Sequence, residues 1–480
     1  MPTHASPYLA LEHALADPRL RDIGALDDDA LVAIAREYGL ERFLTPPAQN
    51  TIAVTSCADS GPGSLRAVMT AAGDGDRIDA SALTCSTITL TTGQIPVAAN
   101  NVTLLGPGPD ALTIRSDQGI KYDNRIFKHD GTGTLLLMGV TLADGNVTGR
   151  ASAADAFGGC VLSNGTVQLG SGLTLPGKYR YDVHVRNCSA IAAQGTNGYA
   201  GFAGGGGIYA NKVVMFGSTI SGCRAERTSG RDGSLLIGGG GGIRARNELR
   251  MYSSEIYGNR ETRNKYGGGG VAVGNLGSNV YALIYDSTIA GNEARIGGGV
   301  TIAGGVARVR NSTLSGNVAS DRGGGLFRVQ SANDSGSFRL LNSTLTGNRA
   351  GQFGGGVALF RTGELQSVLI AGNTPEDIGG DDTTSVTGTN NLIGVSSTRT
   401  PALPPGTIGG VDPLLGPLAR NGGRTRTHAL SPRSPAIDRG NNAIAASYDQ
   451  RGAGHPRVQG ARADIGAFEL SDRIFVDGFD

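Results

Sequence analysis

Between each Gly-Asn pair and the next run of glycines, the middle of this chain carries basic side chains: Arg224, Arg227 and Arg231, then Arg260, Arg263 and Lys265, then Arg295, Arg322 and Arg349. A guanidinium offers its N–H donors as a planar fork that matches carboxylate, sulfate or phosphate. Gathered on one edge, these residues would hold an anionic polymer. Glu226, Glu261, Glu293 and Asp321 lie in the same segments and could instead neutralise them as partners on a solvated edge.

Catalytic chemistry has thinner support. A lyase needs a base, often beside a calcium cluster, and a hydrolase needs paired carboxylates. Asp381-Asp382 is an adjacent acidic pair, and Asp74 and Asp76 in "GDGDRID" supply part of a calcium loop; turn chemistry accounts for both. The six histidines share no metal-binding spacing, no Gly-x-Ser-x-Gly elbow occurs, and the glycine runs precede strands instead of helices. No catalytic residue, metal or cofactor is assigned, and calcium lacks a complete ligand set. Tryptophan is absent, so any stacking on sugars would fall to residues such as Tyr199, Phe202, Tyr209, Tyr252, Tyr257 and Tyr266.

The elements that must position the arginines follow from repetition. "NSTLSGNVASDRGGGLF" returns as "NSTLTGNRAGQFGGGVALF", and the glycine of Gly-Asn stands at 222, 258, 291, 316, 347 and 372. The shortest steps are 25 residues, 291 to 316 and 347 to 372. Short strands rich in β-branched residues, repeated at this step, predict an all-β right-handed parallel β-helix with three strands per coil. Coils would stack about 4.8 Å apart. Leu314 over Leu345 and Val300 over Leu326 would build the core. Asn259, Asn292, Asn317, Asn348 and Asn373 would form an amide ladder at a bend, where asparagine tolerates left-handed backbone.

Four regions are expected. Residues 1–50 read as a short helical N-terminal segment, 51–375 as the coils, 376–471 as a C-terminal cap over the open end, and 472–480 as a sorting tail or a last strand. Cys57 and Cys85 bracket the first coil and could close a loop there, while Cys160, Cys188 and Cys223 are open between disulfides and buried thiols. A formal net charge of +1 gives no field to steer the chain to nucleic acid. No stretch is apolar and long enough to span a bilayer, and no general secretory signal is visible.

Three stretches carry a family resemblance. "CADSGPGSLRAVMTAA" with "ITLTTGQIPV" and "NVTLLGPGPDALTI" resembles the start of exported bacterial β-helix proteins named for a Cys-Ser-Leu-Arg-Glu-Ala motif. The central repeats resemble those of polymorphic outer membrane proteins. Residues 411 to 469, "VDPLLGPLARNGGRTRTHALSPRSPAIDRGNNA…DQRG…DIGAFE", look like the choice-of-anchor Q domain. The resemblance implies a β-helix and an extracellular or bacterial cell-surface destination, and it assigns no chemistry. The expected function is adhesion to, or binding of, an anionic polysaccharide or cell-surface ligand along the arginine edge. A polysaccharide lyase or glycoside hydrolase acting on an acidic polysaccharide, and a structural envelope protein, are the alternatives.

Overall fold

A computed structural model describes residues 48–117, 119, 123–171, 181–196, 200–227, 239–263, 267–274, 280–330, 334 and 336–471. Among these, the chain winds through three stacks of strands, of twenty, twelve and seven members. One coil shows the plan. Thr288–Ala290 joins the twelve-stranded sheet, Glu293–Ile296 the seven-stranded sheet, and Val300–Ala303 with Val306–Arg310 the twenty-stranded sheet. The last two strands are separate because Gly304 and Gly305, at φ 85° and 64°, bend the chain between them.

Among the described residues, the strands of successive coils pair in parallel, as a chain that returns to the same place one turn later requires. The register puts like on like. Ile220, Ile256, Ile289, Leu314, Leu345 and Ile370 pair in sequence down one column, all buried. Each such side chain contributes roughly 1.5–3 kcal/mol by leaving water, and each needs the coil above and below to do so. The architecture is therefore a parallel β-helix.

The corners are held by polar ladders. Asn259 Nδ2 donates to Asn292 Oδ1 at 3.0 Å, Asn292 to Asn317 at 2.9 Å, Asn317 to Asn348 at 2.9 Å, Asn348 to Asn373 at 2.8 Å, and Asn373 to Asp377 at 2.8 Å. Left-handed backbone falls elsewhere than expected. The preceding glycines, Gly258, Gly291, Gly316, Gly347 and Gly372, take it, and so do Asn311 and Asn342 at the opposite corner. There a second ladder runs through serine: the Ser254, Ser287 and Ser312 amides donate to the hydroxyls of Ser287, Ser312 and Ser343. In the glycine run, Gly323 needs φ 68°, and a Cβ on Gly324 would stand 2.4 Å from the Gly355 carbonyl oxygen.

The helices read in residues 8 to 45 lie outside the described residues. Among the described residues, helix α1, Leu65–Ala71, packs on the first coil, with Leu65 and Met69 buried in the core. Ser64 caps it by accepting from the Ala67 amide, and Arg66 locks it by donating to Asp59 and to the Gly93 and Gln94 carbonyls. At the other end, coil strands continue to Ile408–Gly409, and Ile378 and Ile393 belong to the main core.

Within the segment 376–471 expected as an end cap, residues 411 to 470 form a strap that runs back along the outer face of the twelve-stranded sheet. Thr344 accepts from the Ala467 amide, Thr313 donates to Gln450, and Thr288 donates to the Arg426 carbonyl. Arg426 pairs with Glu255 at 3.2 Å, and Arg424 with Asp182 at 3.4 Å. The outward threonines of Ser287-Thr288-Ile289 and of the two Ser-Thr-Leu repeats supply the docking row. Leu430, Ala436, Ile465 and Phe468 complete an apolar contact with Leu369, Ala371 and Leu392.

Cys57 and Cys85 form a disulfide, as do Cys160 and Cys188, and Cys223 is a buried free thiol. Residues 472 to 480, read as a tail, lie outside the described residues.

Candidate functional surface

The seven-stranded sheet carries most of the arginines singled out from the sequence. Alternation turns Ala225, Glu261, Ala294, Ala319 and Ala350 inward and sends their neighbours to solvent. One outward row runs Ser189, Arg224, Arg260, Glu293, Val318, Arg349. Arg224 lies directly opposite Arg260, a like-charge pair that costs stability. Arg260 reaches Glu293 at 3.3 Å, both half-exposed. Arg224 and Arg349 are exposed and meet no carboxylate among the described residues.

The other members are not one stripe. Arg295 and Arg322 both turn to Asp321, at 3.6 and 3.3 Å, and Arg322 also lies over the Phe353 ring. Arg227 is buried over the Phe202 ring, so it cannot face a ligand on this row. Arg263 is exposed just past the strand Arg260–Thr262, and Arg231 and Lys265 lie outside the described residues. The structure thus brings together Arg224, Arg260 and Arg349 and ties Arg295 and Arg322 into a neighbouring cluster.

A second charged face was not read from the sequence. On the outer side of the twenty-stranded sheet, one row runs Gln168, Val214, Arg250, Leu283, Arg308, Arg339, Glu364. Beside it stand Lys212, Glu248, Tyr281 and Val306 in register. Glu248 holds both Arg250 and Lys212, and Arg339 holds Glu364 at 2.7 Å. Arg308 is exposed beside Arg339 with no carboxylate among the described residues, and Tyr281 is 49% exposed. On the other flank Phe216 stacks on Tyr252 at 5.0 Å, Tyr252 meets Tyr285 edge-on, and Arg310 covers Tyr285. Period-two alternation in "YALIY" and "VARVR" is the signal that places these residues outward.

The remaining candidates are structural. Of the aromatic residues considered for sugar stacking, Tyr209 packs on Phe157, Tyr257 lies under Arg426, and Tyr199 and Tyr266 are outside the described residues. Asp76 accepts from Gly73, and Asp381 from Thr383 and Thr384, which are turn bonds, while the bonds to Asp76 from Asn50 and to Asp74 from Asn101 tie neighbouring coils together. His129 and His428 are hydrogen-bonded to serine and to backbone carbonyls, and burial pushes both below the ordinary histidine range. Among the described residues, no group of three or more His, Cys, Asp or Glu converges as a metal site would need. No helix among them is long and apolar enough to cross a membrane.

A scan against protein-family models and a search of curated proteins found no match. Among solved structures, a crystal structure of pectate lyase Pel9A is similar at 14% identity and a TM-score of 0.41, covering 88% of this chain and 97% of that one. The coil architecture rests on the strand pairing itself, not on that likeness.

Proposed function

We propose that this chain is an extracellular or cell-surface protein that holds an anionic glycan, or another anionic surface partner, along the outer row of its seven-stranded sheet. The observation that carries the reading is Arg224 opposite Arg260 on adjacent coils, with Arg349 further along the same row. An anionic chain lying along the coil axis would relieve the repulsion between the first two and pair the guanidiniums that lack carboxylates. Two disulfides suit an oxidising exterior. The resemblances to polymorphic outer membrane protein repeats and to the choice-of-anchor Q module support the same location. The coil is taken as right-handed, since crossovers between parallel strands of one sheet are so in about 98% of cases.

A glycan array spanning sulfated and phosphorylated polymers tests the reading. Arg224→Glu with Arg260→Glu should abolish binding, and affinity should fall between about 0.1 M and 1 M salt, where the screening length shrinks from about 10 to 3 Å. Unchanged binding by the double variant would remove the row from consideration. A rise in ultraviolet absorbance, or release of reducing ends, on uronate polymers would assign a lyase or a hydrolase instead.

A further inference from the structure

The outer face of the twenty-stranded sheet differs in chemistry from the arginine row, and goes beyond the reading above. Its central part sets four cations, Lys212, Arg250, Arg308 and Arg339, against two carboxylates, Glu248 and Glu364. Arg308 and Arg339 are directly opposite on neighbouring coils. Arg339 is satisfied by Glu364 and Arg250 by Glu248, which leaves Arg308 as the guanidinium with no described acid. Diagonal to it, Tyr281 is 49% exposed beside the half-buried Leu283 and Val306, which together offer a small apolar surface on the same face.

A flat ring and, diagonally across on the next coil, a guanidinium with no described acid suit an acidic sugar. A pyranose presents an apolar face of C–H groups to an aromatic ring, and a uronic acid adds a carboxylate in the plane of the sugar, where a forked donor can reach it. Coil spacing of about 4.8 Å is on the scale of one sugar residue, so a linear chain along the axis would meet a new coil at each unit. We propose that this face binds a linear acidic polysaccharide of the uronate class, with Tyr281 stacking on one sugar and Arg308 taking the carboxylate of a neighbouring one. The aromatic flank Phe216, Tyr252 and Tyr285 is closed by its own stacking and by Arg310, so it bounds the face instead of lining it.

Calorimetric titration of the full chain with a linear oligogalacturonate and with a neutral cello-oligosaccharide of equal length tests this. Uronate should bind more tightly than the neutral chain. Tyr281→Ala and Arg308→Ala should each weaken uronate Kd by roughly tenfold, the loss of about 1.4 kcal/mol per contact. Both side chains are exposed, so melting temperatures should stay at the wild-type value and certify the fold. Arg224→Glu with Arg260→Glu should leave this Kd unchanged, which separates the face from the arginine row. Absence of uronate binding by the wild type, wild-type affinity in either face variant, or equal affinity for the neutral chain would overturn the proposal.

Discussion

In each central coil the third glycine of the run and the ladder asparagine share one gap. A Cβ on Gly299 would stand 3.1 Å from the Asn317 side chain, and Gly270 stands in the same relation to Asn292. In an earlier coil the same two positions are Cys160 and Cys188, joined as a disulfide; between them in the stack, Gly207 faces the Cys223 thiol. Amide rung, thiol rung and disulfide are thus three fillings of one space. The ladder passes through the thiol: Cys223 donates its amide to Asn259 Oδ1, and burial pushes its thiol up to about 12, so it stays protonated and inert. Asn317→Ala should be strongly destabilising. It leaves the buried Asn292 amide without a partner, at about 1–3 kcal/mol, and takes one bond each from Asn292 Nδ2, which keeps the Ile256 carbonyl, and from Asn348 Oδ1, which keeps the backbone amide of residue 317. Cys223→Asn should melt no lower than wild type, because it extends the rung into a site already shaped for it. Thermal unfolding of the two variants compares these directly, and a Cys223→Asn protein that melts as low as Asn317→Ala would refute the shared-gap account.

At the scale of elements, the coils were legible and the strap's position was not. Ser-Thr-Leu names three environments in three letters: serine on its corner ladder, leucine in the core, threonine on the outer face. Only the first two are visible as repeats with an obvious local use. The threonine acquires its partner from residues such as Gln450 and Ala467, more than a hundred positions away, and two of the three bonds go to backbone, which carries no side-chain signature. The face around Tyr281 was hidden for a related reason: unequal insertions between coils obscure which strand residues stack. Within the strap, Arg451 clasps Asp449 at 2.7 Å, and Arg457 stands 3.5 Å from Glu469, all buried or nearly so. Burial pushes the Glu469 carboxyl up to about 7, outweighing the Arg457 guanidinium and the Asp464 and Gln459 amides. With the folded value above the ordinary 4.5, the native state holds a proton that the unfolded chain releases. That stabilisation is full below about 4.5 and is lost as pH rises through about 7. His129 and His428, depressed from 6.5, act oppositely and cost stability as pH falls. The test is therefore a difference: wild type should lose more melting temperature between pH 5 and pH 8 than Glu469→Gln does. Parallel losses in the two proteins would move the titrating proton elsewhere.

At the scale of the whole molecule, a stack of coils in which each touches only its neighbours should unfold piecewise. The strap changes that connectivity. Its contacts run from Asp182, through Glu255, Thr288, Thr313 and Thr344, to Leu392, so it bonds coils that do not touch one another. Coils between about 182 and 392 then form one cooperative unit, while those from Thr51 to Leu169 depend on neighbour contacts, on helix α1 and on a disulfide. Cys57–Cys85 and Cys160–Cys188 each span 28 residues, about the length of one coil. In the chain-entropy account, closing such a loop contributes about 3.5 kcal/mol. The first staple lies wholly outside the strap's reach and the second stands at its edge. Cys57→Ser with Cys85→Ser should accordingly speed amide exchange in the strands between Asp76 and Ala143 and leave exchange between Tyr281 and Ala371 at the wild-type rate. Peptide-resolved hydrogen exchange reads both regions in one experiment. Equal acceleration across the two would mean that the stack transmits strain end to end without the strap, and that the molecule is a single cooperative body.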